Sequence, residues 1–214
     1  MIKLSKLPEP KILKENAKKW TEEHLKNIDE GKESTSYLKS RYSHKDIKDT
    51  ILKETSEKCA YCESKFRHVH HGDIEHIYPK SLDESKRFEW ANLTLACEIC
   101  NQNKSTTDIG IMIDPYKMDP SDHLFFAGTI IIEITDNGLY AKTILDLNRS
   151  ELLEARKTRL ETITSTLRSI LNKNVPKTTR QILLDSLIDN ECNKSSEYSA
   201  MLLSQVKLIE AKFN

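Results

Sequence analysis

Two Cys-x-x-Cys pairs, Cys59-Ala-Tyr-Cys62 and Cys97-Glu-Ile-Cys100, constrain this chain more than any other feature. Two residues between cysteines let both sulfurs of a pair reach one ion from a tight turn or a helix start. Together the pairs supply four soft thiolates, a set suited to closed tetrahedral zinc. An open redox pair is the competing reading, but two pairs without a thioredoxin-like context argue against it. The segment between the pairs, residues 63–96, is longer than a compact zinc ribbon needs, so something is inserted there. The insert holds Gly72-Asp-Ile-Glu-His76-Ile-Tyr-Pro-Lys-Ser81 and Trp90-Ala-Asn92-Leu93, and Asn101-Gln-Asn-Lys104 follows the last cysteine directly.

The rest of the composition bounds the class. A chain of 214 residues makes one large domain or a small catalytic unit with additions, and it can bury a real core. Zinc would then support one local motif rather than the whole fold. The 33 basic and 33 acidic residues cancel, whereas a free-standing nucleic-acid binder usually carries a basic excess that displaces counterions from phosphates. A local basic face, or a partner subunit that supplies the grip, is the expectation. No apolar run approaches the roughly 20 residues that span a bilayer, and the N-terminal residues lack the apolar centre of a signal peptide. A cytoplasmic location with no membrane partner follows, and there paired cysteines favour metal over disulfide. Cys192 stands alone and reads as a partly buried thiol in a helical region.

Along the chain, Lys11–Asp29 forms an amphipathic helix with Ile12, Leu13, Ala17, Trp20 and Leu25 loosely on one side. Gly31-Lys-Glu-Ser-Thr-Ser breaks it, and Tyr37, Leu38 and Tyr42 start a short helix. Lys45–Glu57 is helical, with Ile47, Ile51 and Leu52 as its stripe; scaffold is the simpler role for this half, with Arg41, Lys45, Lys48 and Lys53 as candidates to face a phosphate backbone. Ile130–Thr135 and Leu139–Ile144 flank Asp136-Asn-Gly138, which predicts a hairpin turning at Asn137-Gly138. Asn148-Arg-Ser-Glu151 resembles a capping box opening a helix through Leu153, Leu160, Ile163, Leu167 and Ile170. After Pro176 come two more helices, with Ile182, Leu183 and Leu187 in the first and Leu202, Leu203, Val206, Leu208 and Ile209 in the second. Such stripes are more often core faces than docking surfaces.

The chemistry lies in the insert. Gly72–Ile77 alternates enough for a short strand ended by Pro79. Glu75 beside His76 offers a hard ligand for Mg²⁺ and a neutral base near pH 7. On a helix starting at Cys100, that residue and Asn101 point about 100° apart, so one can face zinc and the other a second site. Glu75 and Asn101 then make a sparse oxygen-donor site with room for waters and a phosphate. His68, His70 and His71 approach the strand and read as a solvated loop; His24, His44 and His123 have no evident partner.

The ordered array Cys-x-x-Cys, Glu-His-x-x-Pro-x-Ser, Asn-Leu and Cys-x-x-Cys-Asn-x-x-Lys resembles the HNH endonucleases, over roughly residues 55–110. The resemblance implies an α+β, mainly helical chain: a zinc-supported ββα-metal, treble-clef-like core, with a β-hairpin and a C-terminal helical bundle. It implies His76 as the general base, Glu75 as the metal-binding carboxylate, Asn101 as a second metal ligand and Asn92 as the fastener of the loop that orients the histidine. Asp73 sits where many members carry an extra acid, and Lys104 resembles a basic residue placed to meet phosphate. Zinc would be structural, and Mg²⁺ or Mn²⁺ catalytic. Glu stands where Asp is common and Asn ends the motif in place of His; both occur in the family. A flat strand would put Glu75 and His76 on opposite faces, so the resemblance requires a twist or strand end near them.

A narrower likeness rests on Cys-Ala-Tyr-Cys-Glu, Ile-Glu-His-Ile-Tyr-Pro-Lys-Ser, Trp-Ala-Asn-Leu and Asp114-Pro115, with Leu145-x-Leu147-Asn148 and Arg156 further on. It is similar to the HNH subunits of Septu and retron-associated anti-phage systems. That implies a nuclease effector acting on DNA, or on RNA such as tRNA, beside an ABC-type ATPase and, in retron systems, a reverse transcriptase with its msDNA. The expected organisation is a helical arm (1–44), a nuclease core (45–113), and a hairpin with C-terminal helices for packing or docking (114–214). A stand-alone restriction or mobile-element HNH DNA endonuclease is the second reading. A zinc-binding adaptor that does not cut is the third.

Overall fold

The computed structural model describes residues 1–213, with side chains through Ala211; Asn214 lies outside the described residues. The N-terminal region is helical: α1 (Lys11–Asp29), α2 (Ser36–Lys39) and α3 (Lys45–Glu54). Helix α1 starts after Pro10, whose carbonyl accepts from the amides of Leu13 and Lys14. It buries Leu13, Trp20 and His24 along one stripe. Thr35 caps α2, and the His44 ring accepts from the Asp46 amide to cap α3. Helix α3 buries Ile47, Ile51 and Leu52 and stops three residues short of the sequence expectation, where Ser56 and Glu57 turn left-handed.

Next come β1 (Asp73–His76), β2 (Leu93–Ala96) and α4 (Glu98–Lys104). The strands pair antiparallel, Glu75 opposite Thr94 and His76 opposite Leu93. Every residue of β2 is buried, so it is the inner strand of the unit. Gly72 enters β1 at a φ of +74°, and a Cβ there would lie 2.5 Å from the Phe66 ring, so no larger residue fits without displacing it.

The second half holds β3 (Leu124–Ala127), β4 (Ile130–Glu133), α5 (Asp136–Ile144), α6 (Ser150–Leu171), α7 (Lys177–Glu191) and α8 (Ser199–Phe213). The chain is thus α+β and mainly helical, with two separate two-stranded sheets among the described residues. The hairpin departs from the sequence expectation. It turns at Gly128, with a φ of +64°, and the partner of Ile130–Glu133 is Leu124–Ala127. The expected second arm, Leu139–Ile144, is helical, because Thr135 caps α5 by accepting from the Gly138 amide at 3.2 Å. Gly138 serves close approach rather than a turn: a Cβ there would sit 2.1 Å from the His123 carbonyl oxygen.

The capping box is also corrected. Helix α6 begins at Ser150 without a side-chain cap. Asn148 instead accepts from the Ile131 amide at 2.9 Å and donates to its carbonyl at 2.8 Å, pairing with β4 as a backbone would. Helix α7 buries Leu184 and Leu187 and leaves Ile182 exposed, while α8 buries Met201, Leu202, Val206 and Ile209 with Leu208 outside. One core runs through both halves, from Leu13 and Trp20 through Leu93 and Leu95 to Ile163 and Leu202.

Candidate active site

The four cysteines meet. Cys59 and Cys62 sit on a knuckle closed by hydrogen bonds from the Cys59 amide to the Ser64 carbonyl and from the Glu63 amide to the Cys59 carbonyl, with Glu63 left-handed. Cys97 precedes the first turn of α4 and Cys100 lies within it. All four are buried thiols, and their sulfurs lie within 4.8 Å of one another. The Cys62 and Cys97 sulfurs are 3.8 Å apart. A tetrahedral ion with zinc–sulfur bonds of ~2.3 Å needs sulfurs about 3.8 Å apart, so the donor set fits zinc in kind and in size. The Arg149 guanidinium lies 4.0 Å from the Cys100 sulfur, and proximity to these sulfurs holds its pKa above the ordinary arginine range against the effect of burial. A four-thiolate zinc centre carries two net negative charges, which a nearby cation offsets.

The strand β1 presents its acids to α4. Asn101 donates to Asp73 at 2.9 Å, and one turn further on the Lys104 ammonium meets the Glu75 carboxylate at 2.7 Å. The pairing follows from period: residues two apart on a strand share a face, as do residues three apart on a helix. Burial pushes the Glu75 carboxyl up, and the charge of Lys104 opposes that shift. Lys104, expected to meet phosphate, is fully buried and donates a second bond, 3.0 Å, to the His76 carbonyl. In this arrangement it is a strut between Glu75 and the backbone of His76. The oxygen donors available to a divalent ion are Asp73, Glu75 and the Asn101 amide oxygen, a hard set of the kind magnesium or manganese takes. Among the described residues, no second group of three or more His, Cys, Asp or Glu side chains converges, so such an ion would rely on water or substrate oxygens as well.

His76 stands apart from those acids. Its Nε2 lies 3.0 Å from the Arg87 carbonyl oxygen, which can only accept; Nε2 therefore carries the proton, and Nδ1 holds a lone pair. Burial and the charge of Lys80 lower its pKa to about 3, keeping the ring neutral at physiological pH. Asn92 fastens the loop that follows: its side chain accepts from the Tyr78 amide at 2.6 Å and donates to the carbonyls of Tyr78 and Lys86, at 3.0 and 3.1 Å. Three further groups fix His76 that local sequence gave no way to find. The Tyr42 ring meets it edge-on at 4.6 Å. Arg87, whose carbonyl receives Nε2–H, is tied to Glu84 at 2.7 and 2.9 Å. His24, which had no evident partner, lies 2.7 Å from the Ser34 hydroxyl and 3.1 Å from Glu84, so α1 buttresses the same loop. Of the other histidines, His44 caps α3, His123 meets the Thr135 hydroxyl at 2.7 Å, and His70 accepts from the Gly72 amide at 2.9 Å.

Chemically, the arrangement offers a neutral imidazole with one free nitrogen and, on the other side of β1, a set of hard oxygen donors, both on a frame of four sulfurs. Residues 59–107 match the HNH endonuclease family. Over 94% of its length the chain is 24% identical to the Septu protein PtuB of Bacillus mycoides (strain KBAB4), 88% of which is covered. No helix among the described residues is long and apolar enough to cross a membrane.

Proposed function

The chain carries an HNH endonuclease core, and from that premise we propose that it hydrolyses nucleic-acid phosphodiester bonds as the nuclease of a Septu-type anti-phage system, working beside an ABC-type ATPase. The observation that carries the catalytic part is the bond between His76 Nε2 and the Arg87 carbonyl, which leaves Nδ1 free to accept a proton. In this reading His76 Nδ1 takes the proton from the attacking water, and the Arg87 carbonyl steadies the imidazolium that results. Asn92 keeps the loop, and with it the Arg87 carbonyl, in place. Asp73, Glu75 and Asn101 would hold a magnesium or manganese ion, whose chemistry there would be charge stabilisation at the scissile phosphate and the leaving oxygen. Cys59, Cys62, Cys97 and Cys100 would hold structural zinc, and their placement on the knuckle and on α4 would tie α4, and with it Asn101, to the frame.

The charge balance of the chain supports the shared assembly, because substrate grip would come partly from the ATPase subunit. The test is cleavage of labelled DNA and RNA by the purified chain with Mg²⁺ or Mn²⁺, alone and with the neighbouring ATPase, against its His76→Ala variant. Equal activity of the two proteins overturns the base assignment. Full activity without the ATPase favours a stand-alone nuclease instead.

A further inference from the structure

With Lys104 buried on Glu75, the phosphate contact expected of it falls to another cation. Most candidates near His76 are engaged. Arg87 is tied to Glu84, Lys86 pairs with Asp83 at 3.8 Å, Lys45 pairs with Asp49, and Lys48 donates to the Gly72 carbonyl. Lys80 is different. It lies four residues past His76 and is half-buried, with no carboxylate within ion-pair distance among the described residues. Its ammonium lies 5.1 Å from the centre of the Tyr42 ring and 3.5 Å from the Tyr42 hydroxyl. That same ring lies edge-on to His76 at 4.6 Å. One aromatic side chain from the N-terminal arm therefore holds both the imidazole and the unpaired ammonium.

A cation resting on an aromatic ring keeps its orientation with little loss of charge, and one without a carboxylate stays available to an anion. The geometry points to a phosphate clamp: Lys80, held beside His76 by Tyr42, binds a backbone phosphate of the nucleic-acid substrate. The clamp recognises the phosphodiester backbone and carries no base preference. Tyr42 is a positioning residue acting through Lys80. The inference deepens the nuclease reading and rests on it for the nature of the ligand.

The test separates binding from cutting. Binding of the full-length His76→Ala chain to fluorescein-labelled duplexes of about thirty base pairs, one DNA and one RNA, is followed by anisotropy between roughly 50 and 200 mM salt. Adding Lys80→Met is expected to weaken binding several-fold and to lower the log–log salt slope by about one, the change for one lost phosphate contact. Lys80→Arg and Tyr42→Phe should keep the slope, and Tyr42→Ala should lose part of it. A parent chain with no salt-dependent binding, or Lys80→Met with the parent's slope, overturns the clamp. In the chain with His76 intact, a Lys80→Met loss confined to kcat at unchanged slope overturns it too. If His76→Ala cuts as fast as the unmodified chain while Lys80→Met still loses slope, the base assignment fails and the clamp stands. Thermal melts of each variant keep a folding defect from passing as lost contact.

Discussion

The four-sulfur frame and the hydrolytic face occupy neighbouring residues of α4, yet they are built on opposite plans. The frame is convergent: four identical donors, all buried, meet within 4.8 Å of one another. The face is divided. Asp73 and Glu75 turn towards Asn101 and Lys104, while His76 turns away to Arg87 and Tyr42. The strand's own alternation makes that division, as expected for consecutive residues in extended backbone. A structural metal site tolerates no freedom in its donors, whereas a hydrolytic site needs its base and its ion on separate supports, with substrate completing the gap.

Breaking the frame should cost most. Cys97→Ser removes one of four thiolates, so the chain should lose most of its bound zinc and melt at a lower temperature; metal content by atomic emission and a circular-dichroism melt check both. Breaking the face at its base should leave the fold alone. His76→Ala is expected to keep the melt and lower kcat by about 10²- to 10⁴-fold. The tie between the acids and the histidine backbone comes third. Lys104→Met strands a buried carboxylate and should destabilise by about 3–5 kcal/mol in urea unfolding. Adding Glu75→Gln should recover part of that loss, since the two residues are in contact.

The last effect concerns acid. The His76 pKa lies below its unfolded value, so between about pH 6.5 and its folded value of about 3 the unfolded chain binds a proton that the folded chain refuses. Stability contributed by neutral His76 is complete above that window and is lost as pH falls through it. His76→Asn should flatten the slope of unfolding free energy against pH there. An unchanged slope would mean that the imidazole is far more solvated than its 4% exposure indicates.

What was legible in the sequence divides along the same line. The cysteine pairs, the short strand before Pro79 and a helix at the second pair are local patterns that spacing suffices to find, although the helix starts at Glu98, two residues before the expected Cys100. The second hairpin arm was misplaced because Asn137-Gly138 has the same composition whether glycine supplies positive φ or merely room. Only the distant His123 carbonyl decides which. Asn148 looked like a cap for the same reason, its amide being able to serve a helix start or a strand edge. Lys104 was expected to meet phosphate because of its place in the motif; its burial depends on Glu75, nearly thirty residues earlier. Tyr42, His24 and Arg87 carry no motif, and only tertiary contact makes them neighbours of His76.

The knuckle that bears Cys59 and Cys62 has one more set of attachments. Lys58 donates to the Ser196 carbonyl at 2.8 Å, Ser199 donates to Glu63 at 2.9 Å, and the Ser64 hydroxyl lies 2.9 Å from that of Tyr198. The three partners lie in the turn before α8 or at its first residue, more than 130 residues along the chain from the knuckle. A nuclease cassette cut at the edges of the cysteine motif and grafted onto another scaffold would carry its metal ligands and leave behind the groups that seat them. Transplanting this activity means transplanting the far end of the chain with it.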